Sequence, residues 1–328
     1  MVKTWVITGV FIFCVAFSSL SLAGELPKLS LDQAVAAAGP EKQAGAAKTC
    51  EPGDQGKPCE EAKEMGYQKP LKELSLSVNY YLWSDYIFRG VNMSEYAGEG
   101  REDLVHQMDV GGEWKFNKVF GVGGKFFASW FAGSEELYGT GRNIQELRYS
   151  PYLIADVEEI YSRLMLGFNF FNYPAFPPGR TDDMEWWFQI CHNDAWLWKG
   201  LFPDNKQGVL NPFLFFSQNI DEAEGGCAWL LGGKHDFAIP CVTGLTLTPQ
   251  MALATDHRLV GKLVADEPTT KLLFLQYGLT VGYNLSQALK LPPDVGNFTI
   301  SGSLYFSDAF ADYIHDEFYG GMQVGWSW

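Results

Sequence analysis

The sequence predicts an all-β chain, a transmembrane antiparallel up-and-down β-barrel of about twelve strands. Three observations carry that expectation. The last segment, Phe318 to Trp328, alternates residue by residue: Phe318, Gly320, Met322, Val324, Trp326 and Trp328 share one face, and Tyr319, Gly321, Gln323, Gly325 and Ser327 the other. Beyond the N-terminal stretch, no run reaches the roughly 18 consecutive apolar residues that a membrane helix needs. From Leu74 onward the same period of two recurs almost without a break. One face suits lipid and the other water, and only a closed barrel then gives every backbone polar group a partner.

Composition agrees. The 328 residues are 15% aromatic and 19% charged, with a net charge of -15, which is neither a disordered nor a collagen-like profile. Such acidity repels phosphates, so nucleic acid is excluded as a partner, and cations are attracted.

Met1-Val2-Lys3 leads into an apolar run that ends in Ser21-Leu22-Ala23, the pattern of a secretory signal peptide spanning 1–23. An uncleaved anchor is the alternative. Residues 24–73 are rich in Ala, Gly, Glu, Lys and Pro and nearly free of aromatics, which predicts a flexible periplasmic extension. Within it Cys50 and Cys59 are close enough to form a small disulfide loop in an oxidising compartment.

The barrel, 74–328, follows in order. Leu76, Val78, Tyr80 and Leu82 face away from Ser77, Asn79, Tyr81, Trp83 and Asp85. Met108, Val110, Gly112, Trp114 and Phe116 oppose Asp109, Gly111, Glu113 and Lys115. Asn117-Lys118 is a two-residue turn into the strand of Phe120, Val122, Gly124, Phe126, Ala128 and Trp130. Further strands are predicted at about 143–153, 161–171, 184–191, 209–219, 227–237, 245–255, 272–285, 297–307 and 317–328. Twelve is even, as single-chain bacterial barrels require, and short and long connections alternate. The segment 192–208 breaks that alternation, and its Trp196-Leu197-Trp198 suits an interfacial turn, a short surface helix or a missed strand.

Two features carry a resemblance. The aromatic C-terminal strand resembles that of bacterial outer-membrane barrels, which implies that Trp326 and Trp328 belong to a signal read by the barrel-insertion machinery. Ser84-Asp85-Tyr86 followed by Arg89-Gly90, at the end of the first strand, resembles the opening motif of the TorF family of outer-membrane porins. That resemblance implies a channel without naming a substrate. It also implies an outer-membrane setting, with lipid and lipopolysaccharide as neighbours and small solutes as passengers.

Assigning faces strand by strand places Asp85, Asp109, Glu113, Glu146, Glu185 and Asp236 in the lumen with Arg89, Lys115, Lys125, Arg148, Arg163 and Lys234. The signs nearly balance, which argues against a strong anion selector. Asp85 and Arg89, about 13 Å apart on one strand face, are too distant to pair with each other. Inward Tyr81, Trp83, Phe127, Trp187, Phe274 and Tyr305 narrow the bore, either as packing or as a track for a sugar, nucleoside or aromatic solute. The outer loops are acidic.

Cys191 and Cys241 fall near the same rim, which makes them a candidate disulfide. His192-Asn193-Asp194 has the composition of a nucleophilic site but no serine elbow, and the other histidines lack metal-ligand spacing. Neither a catalytic site, a metal nor a cofactor is expected. The functional expectation is passive diffusion of small hydrophilic solutes; the alternatives are a closed structural or adhesive barrel, or a barrel enzyme.

Overall fold

A computed structural model describes residues 74–94, 104–131, 144–174, 182–201, 208–221, 223, 225–260 and 270–328. The signal peptide, the extension 24–73 and Cys50 and Cys59 lie outside the described residues, as do most of the acidic loop residues. Twelve strands close into one antiparallel barrel. They are β1 (Leu74–Trp83), β2 (Val105–Lys115), β3 (Phe120–Phe131), β4 (Ile144–Val157), β5 (Ser162–Asn172) and β6 (Asp182–His192). The second half comprises β7 (Phe213–Asn219), β8 (Cys227–Lys234), β9 (Leu245–His257), β10 (Thr270–Asn284), β11 (Asn297–Ala309) and β12 (Glu317–Ser327). Each strand pairs with its neighbours in sequence, and β12 returns to β1 with Val78 opposite Trp326 and Trp83 opposite Gly321. Reciprocal backbone hydrogen bonds of 2.9 Å between Leu76 and Trp328 finish the seam. Closure leaves no unpaired edge, the condition for strands surrounded by lipid.

Alternation decides which residues meet lipid. Val78, Val110, Leu166, Phe168, Leu279, Val281, Ile300, Leu304, Met322 and Val324 form an exposed apolar band, while the intervening residues point inward. Aromatic groups border that band. At the end distant from the termini, Tyr80 Oη meets His106 Nδ1 at 2.5 Å and His106 stacks on Trp130. At the other end Trp326 and Trp328 donate their indole N–H groups to the carbonyls of Val295 and Asp294. Amphipathic rings of this kind are favoured at both membrane–water boundaries. No helix among the described residues is long and apolar enough to cross a membrane.

The connection 192–208, at the end of the barrel nearer the termini, contains a single-turn helix, Ala195–Trp198. It is organised by Asp194, whose carboxylate accepts from Trp198 Nε1 at 2.6 Å and from the backbone N–H groups of Val209, Leu210 and Asn211. These bonds hold residues 209–211 out of the sheet, so β7 starts at Phe213 rather than near Val209. Burial opposes ionisation of Asp194, but the four donors outweigh it and hold the carboxyl below the usual carboxylate range. Asp194→Ala is therefore expected to cost about 2 kcal/mol in urea unfolding from lipid vesicles. With the folded pKa depressed, that contribution is complete above the unfolded carboxylate pKa and disappears as pH falls through the folded value. The gap between wild type and variant should close in acid.

The strand predicted at 227–237 is interrupted after Lys234, where the N–H groups of Lys234 and His235 turn to the carbonyls of Leu210 and Pro249, and pairing with β9 resumes at Phe237–Ala238. Asp236 lies exposed in the interruption between Lys234 and Phe237, where it accepts from Thr248 Oγ1, and not on the inward face. Cys191 and Cys241 are free thiols, so the disulfide considered for them is not formed.

Candidate functional site, a lumen divided by an in-folded hairpin

The first strand stops at Trp83, earlier than the alternation suggests, and the next residues turn into the barrel. Residues 84–94 form a small hairpin in which Ile87 and Phe88 pair with Asn92 and Val91. Tyr86, Arg89, Val91, Met93 and Ser94 are all buried. Arg89 and Gly90 make the turn with φ of 51° and 81°, and Gly90 has no room for a side chain, since a Cβ there would lie 2.6 Å from the Phe274 ring. Asp85 and Arg89 therefore do not share a wall strand. Asp85 accepts from Ser84 Oγ and Asn92 Nδ2 within and beside the hairpin.

Arg89 crosses the lumen. Its Nη2 meets Glu185 Oε2 on β6, five strands round the barrel, at 2.7 Å, with both side chains almost wholly buried. Tyr86 Oη donates to Glu146 Oε2 on β4 at 2.7 Å. Glu185 also accepts from Asn169 Nδ2 at 2.7 Å. Arg148 stands beside Glu146, its Nε 3.9 Å from Oε1, and its guanidinium lies over the Phe127 and Phe171 rings. Apolar residues complete the packing of this half, the one distant from the termini: Val91 and Met93 belong to one buried cluster with Phe274, Ile314, Leu259 and Val105.

Below the hairpin the lumen side chains are more exposed, and ion pairs gather on the wall from β2 to β5. Arg163 on β5 binds Glu113 of β2 at 2.6 Å and Asp156 of β4 at 3.2 Å; Asp156 also pairs with Lys115. Tyr152 Oη donates to Glu113. Side-chain exposure rises from 0% at Glu185 to 15% at Arg163, 24% at Asp156 and 43% at Lys115, as for groups approached by solvent from the mouth nearer the termini. Lys125 and Lys234 are likewise half-buried. From β9 round to β1 the inward polar side chains pair as neutral groups: Gln250 and Gln276 donate to the hydroxyls of Tyr305 and Tyr319, and Gln323 donates to Asn79. Asp109, buried between the walls, accepts from Asn79 and Tyr81.

The six inward aromatic residues divide between these walls. Tyr81, Trp83 and Tyr305 form one cluster with Tyr319, Trp83 lying 5.8 Å from Tyr305 and 6.2 Å from Tyr319. Trp187 stands across from them beside Tyr152 and Phe215. Phe127 carries Arg148, and Phe274 packs on the hairpin turn. Many of these rings lie flat over a glycine of the adjacent strand: Trp83 over Gly321, Tyr305 over Gly278 and Trp187 over Gly167. The missing Cβ is what lets each ring lie along the wall instead of across the bore.

Sequence reasoning missed Asp156, Asp256 and Gln145. Asp156 continues the inward series Tyr152, Ile154, Asp156 past the point where a turn was expected. Asp256 caps the turn after β9 by accepting from Leu259 and Val260. Gln145 reaches the interior through a register shift at Ser129/Trp130, a bulge that turns both Gln145 and Glu146 inward. Alternation alone cannot place such a pair.

No family model matches the chain, and no curated protein matches it. The solved structures it resembles include outer-membrane channels. One, an outer membrane channel from Pseudomonas putida F1, is 10% identical over 78% of this chain and 96% of its own, with a TM-score of 0.47. The NanC porin is 7% identical over 77% and 98%, with a TM-score of 0.41. A bacterial polysaccharide outer membrane secretin is 9% identical over 78% and 98%, with a TM-score of 0.43. At these values the likeness is one of general form.

At His192-Asn193-Asp194, the segment with the composition of a nucleophilic site, the geometry opposes general-base action by His192. Strand pairing brings Ser162 beside it, Oγ to Nδ1 2.9 Å, a neighbour the sequence did not reveal. Its Nε2 accepts from Trp196 Nε1 at 3.1 Å, which places the ring proton of the neutral imidazole on Nδ1. Nδ1 then donates to Ser162 and cannot take that hydroxyl's proton. Asp194 is committed to its own four donors. Among the described residues no group of three or more His, Cys, Asp or Glu is placed to hold a metal.

Proposed function

We propose that this chain is an outer-membrane barrel through which small hydrophilic solutes diffuse, with the hairpin 84–94 constricting the outer half. The observation that carries this reading is the contrast within the lumen: a charged half, increasingly exposed toward the mouth nearer the termini, ends at a hairpin attached to the walls by polar contacts. Passage needs no catalytic residue, cofactor or metal; lumen width, charge and wetting set it. Lys115, Glu113, Arg163, Lys125 and Lys234 line the inner half in this reading, and the aromatic residues pave its walls.

The remaining expectations fit the same picture. Trp326 and Trp328 serve assembly by the barrel-insertion machinery, lipid and lipopolysaccharide surround the apolar band, and residues 24–73 follow a signal peptide into the periplasm. Membership of the TorF family rests on Ser84-Asp85-Tyr86 and Arg89-Gly90, which here build the strand end and hairpin turn.

Refolded protein in a planar lipid bilayer, recorded at two salt concentrations, tests the reading. Discrete conductance steps are expected, with a mild cation preference from the acidic balance that fades as salt screens it. Silence from protein with heat-modifiable gel mobility would instead identify a closed structural barrel.

A further inference from the structure

We propose that Glu185 and Glu146 form a socket for a monocationic guanidinium or ammonium head, and that Arg89 is its resident ligand in the closed barrel. This rests on the channel reading and extends it by naming a class of solute. Two buried wall carboxylates, Glu146 and Glu185, face one wall cation, Arg148, which Phe127 and Phe171 hold in place. The charges of these three wall groups sum to one negative. The hairpin supplies its counterion from across the lumen, Arg89 on Glu185 at 2.7 Å. A cation presented on a loop and received by a preformed acidic wall has the geometry of a ligand in its site.

The polar atoms around the socket support an alternative, hydrated state. Both amide atoms of Gln145, the Ser129 hydroxyl and the Trp187 indole N–H are buried without a hydrogen-bond partner. Each adjoins the socket in the sheet: Gln145 precedes Glu146 on the bulge, Ser129 is opposite Glu146, and Trp187 is two residues from Glu185. Their burial carries a desolvation penalty that water or a polyfunctional solute relieves when the hairpin lifts. The positive φ of Arg89, unfavourable for a residue with a Cβ, also opposes the seated state. A solute with a guanidinium or ammonium head therefore competes with Arg89 for Glu185.

The test is chemical rescue in the refolded full chain. Millimolar ethylguanidinium chloride is expected to raise the Tm of Arg89→Ala, read by tryptophan fluorescence, and to leave wild type and Arg89→Ala/Glu185→Gln unmoved. In bilayers it should block current through Arg89→Ala at a concentration about tenfold lower than through the double variant. Equal effects on all three proteins would overturn the socket. If Arg89→Ala does not refold, Arg89→Met keeps the packed stem and carries the same comparison. Folded but silent protein would strike down the channel reading, and the Tm comparison would still decide the socket.

Discussion

Glu185→Ala is expected to lower the unfolding free energy by about 3–5 kcal/mol, because it leaves the Arg89 guanidinium buried without its carboxylate. Glu185 is wholly buried and joined to Arg89 and Asn169 by bonds of 2.7 Å, so no solvent stands ready to replace it. Arg89→Ala should cost a similar amount by stranding Glu185. The double replacement should then cost much less than the sum, since neither charge remains to be stranded. Urea unfolding of all three variants from lipid vesicles measures this coupling. Additive losses would mean that the hairpin is held by its apolar packing and that the ion pair contributes nothing.

Gly321→Val should have the second large effect, about 3 kcal/mol, at the seam that closes the barrel. A Cβ at 321 would lie 2.4 Å from the Leu82 carbonyl oxygen and 2.4 Å from the Trp83 ring. The backbone cannot yield without opening the β12–β1 pairing. Trp83 must instead leave its place against Tyr305 and Tyr319 and stand out into the lumen. Gly321→Ala meets the same atoms with one carbon and should lose less. The same unfolding assay reads the loss, and a shift of tryptophan emission reports the ring; an unchanged Gly321→Val would show that Trp83 does not lie on this strand.

These two sites also show how far the sequence could be read. Twelve strands were legible because lipid outside and water inside impose a period of two on every span, and Gly321 and Trp83 fell on the inward face for that reason. What the alternation could not convey was the flat placement of one on the other, which depends on register between strands distant in sequence. Arg89 was legible as a lumen residue but was assigned to the wrong support. The segment 84–94 still contains alternating apolar residues, yet its turn at Arg89-Gly90 takes it off the wall and across to β6. A short hairpin and a strand extension look alike until the far wall is known. Gln145 was hidden for a different reason, since a bulge suspends the period at the point where it occurs. Asp236 failed in the opposite direction, carried inward by an alternation that is interrupted at His235 and Asp236 before pairing resumes at Phe237.

The most direct measurement is the unitary conductance of wild type beside Arg89→Ala/Glu185→Gln in the same bilayer and salt. If the hairpin constricts a diffusion channel, the double variant will keep the ion preference of wild type and conduct severalfold more. Folded proteins that are both silent, or that conduct equally, would contradict a lumen closed from its outer side by Arg89.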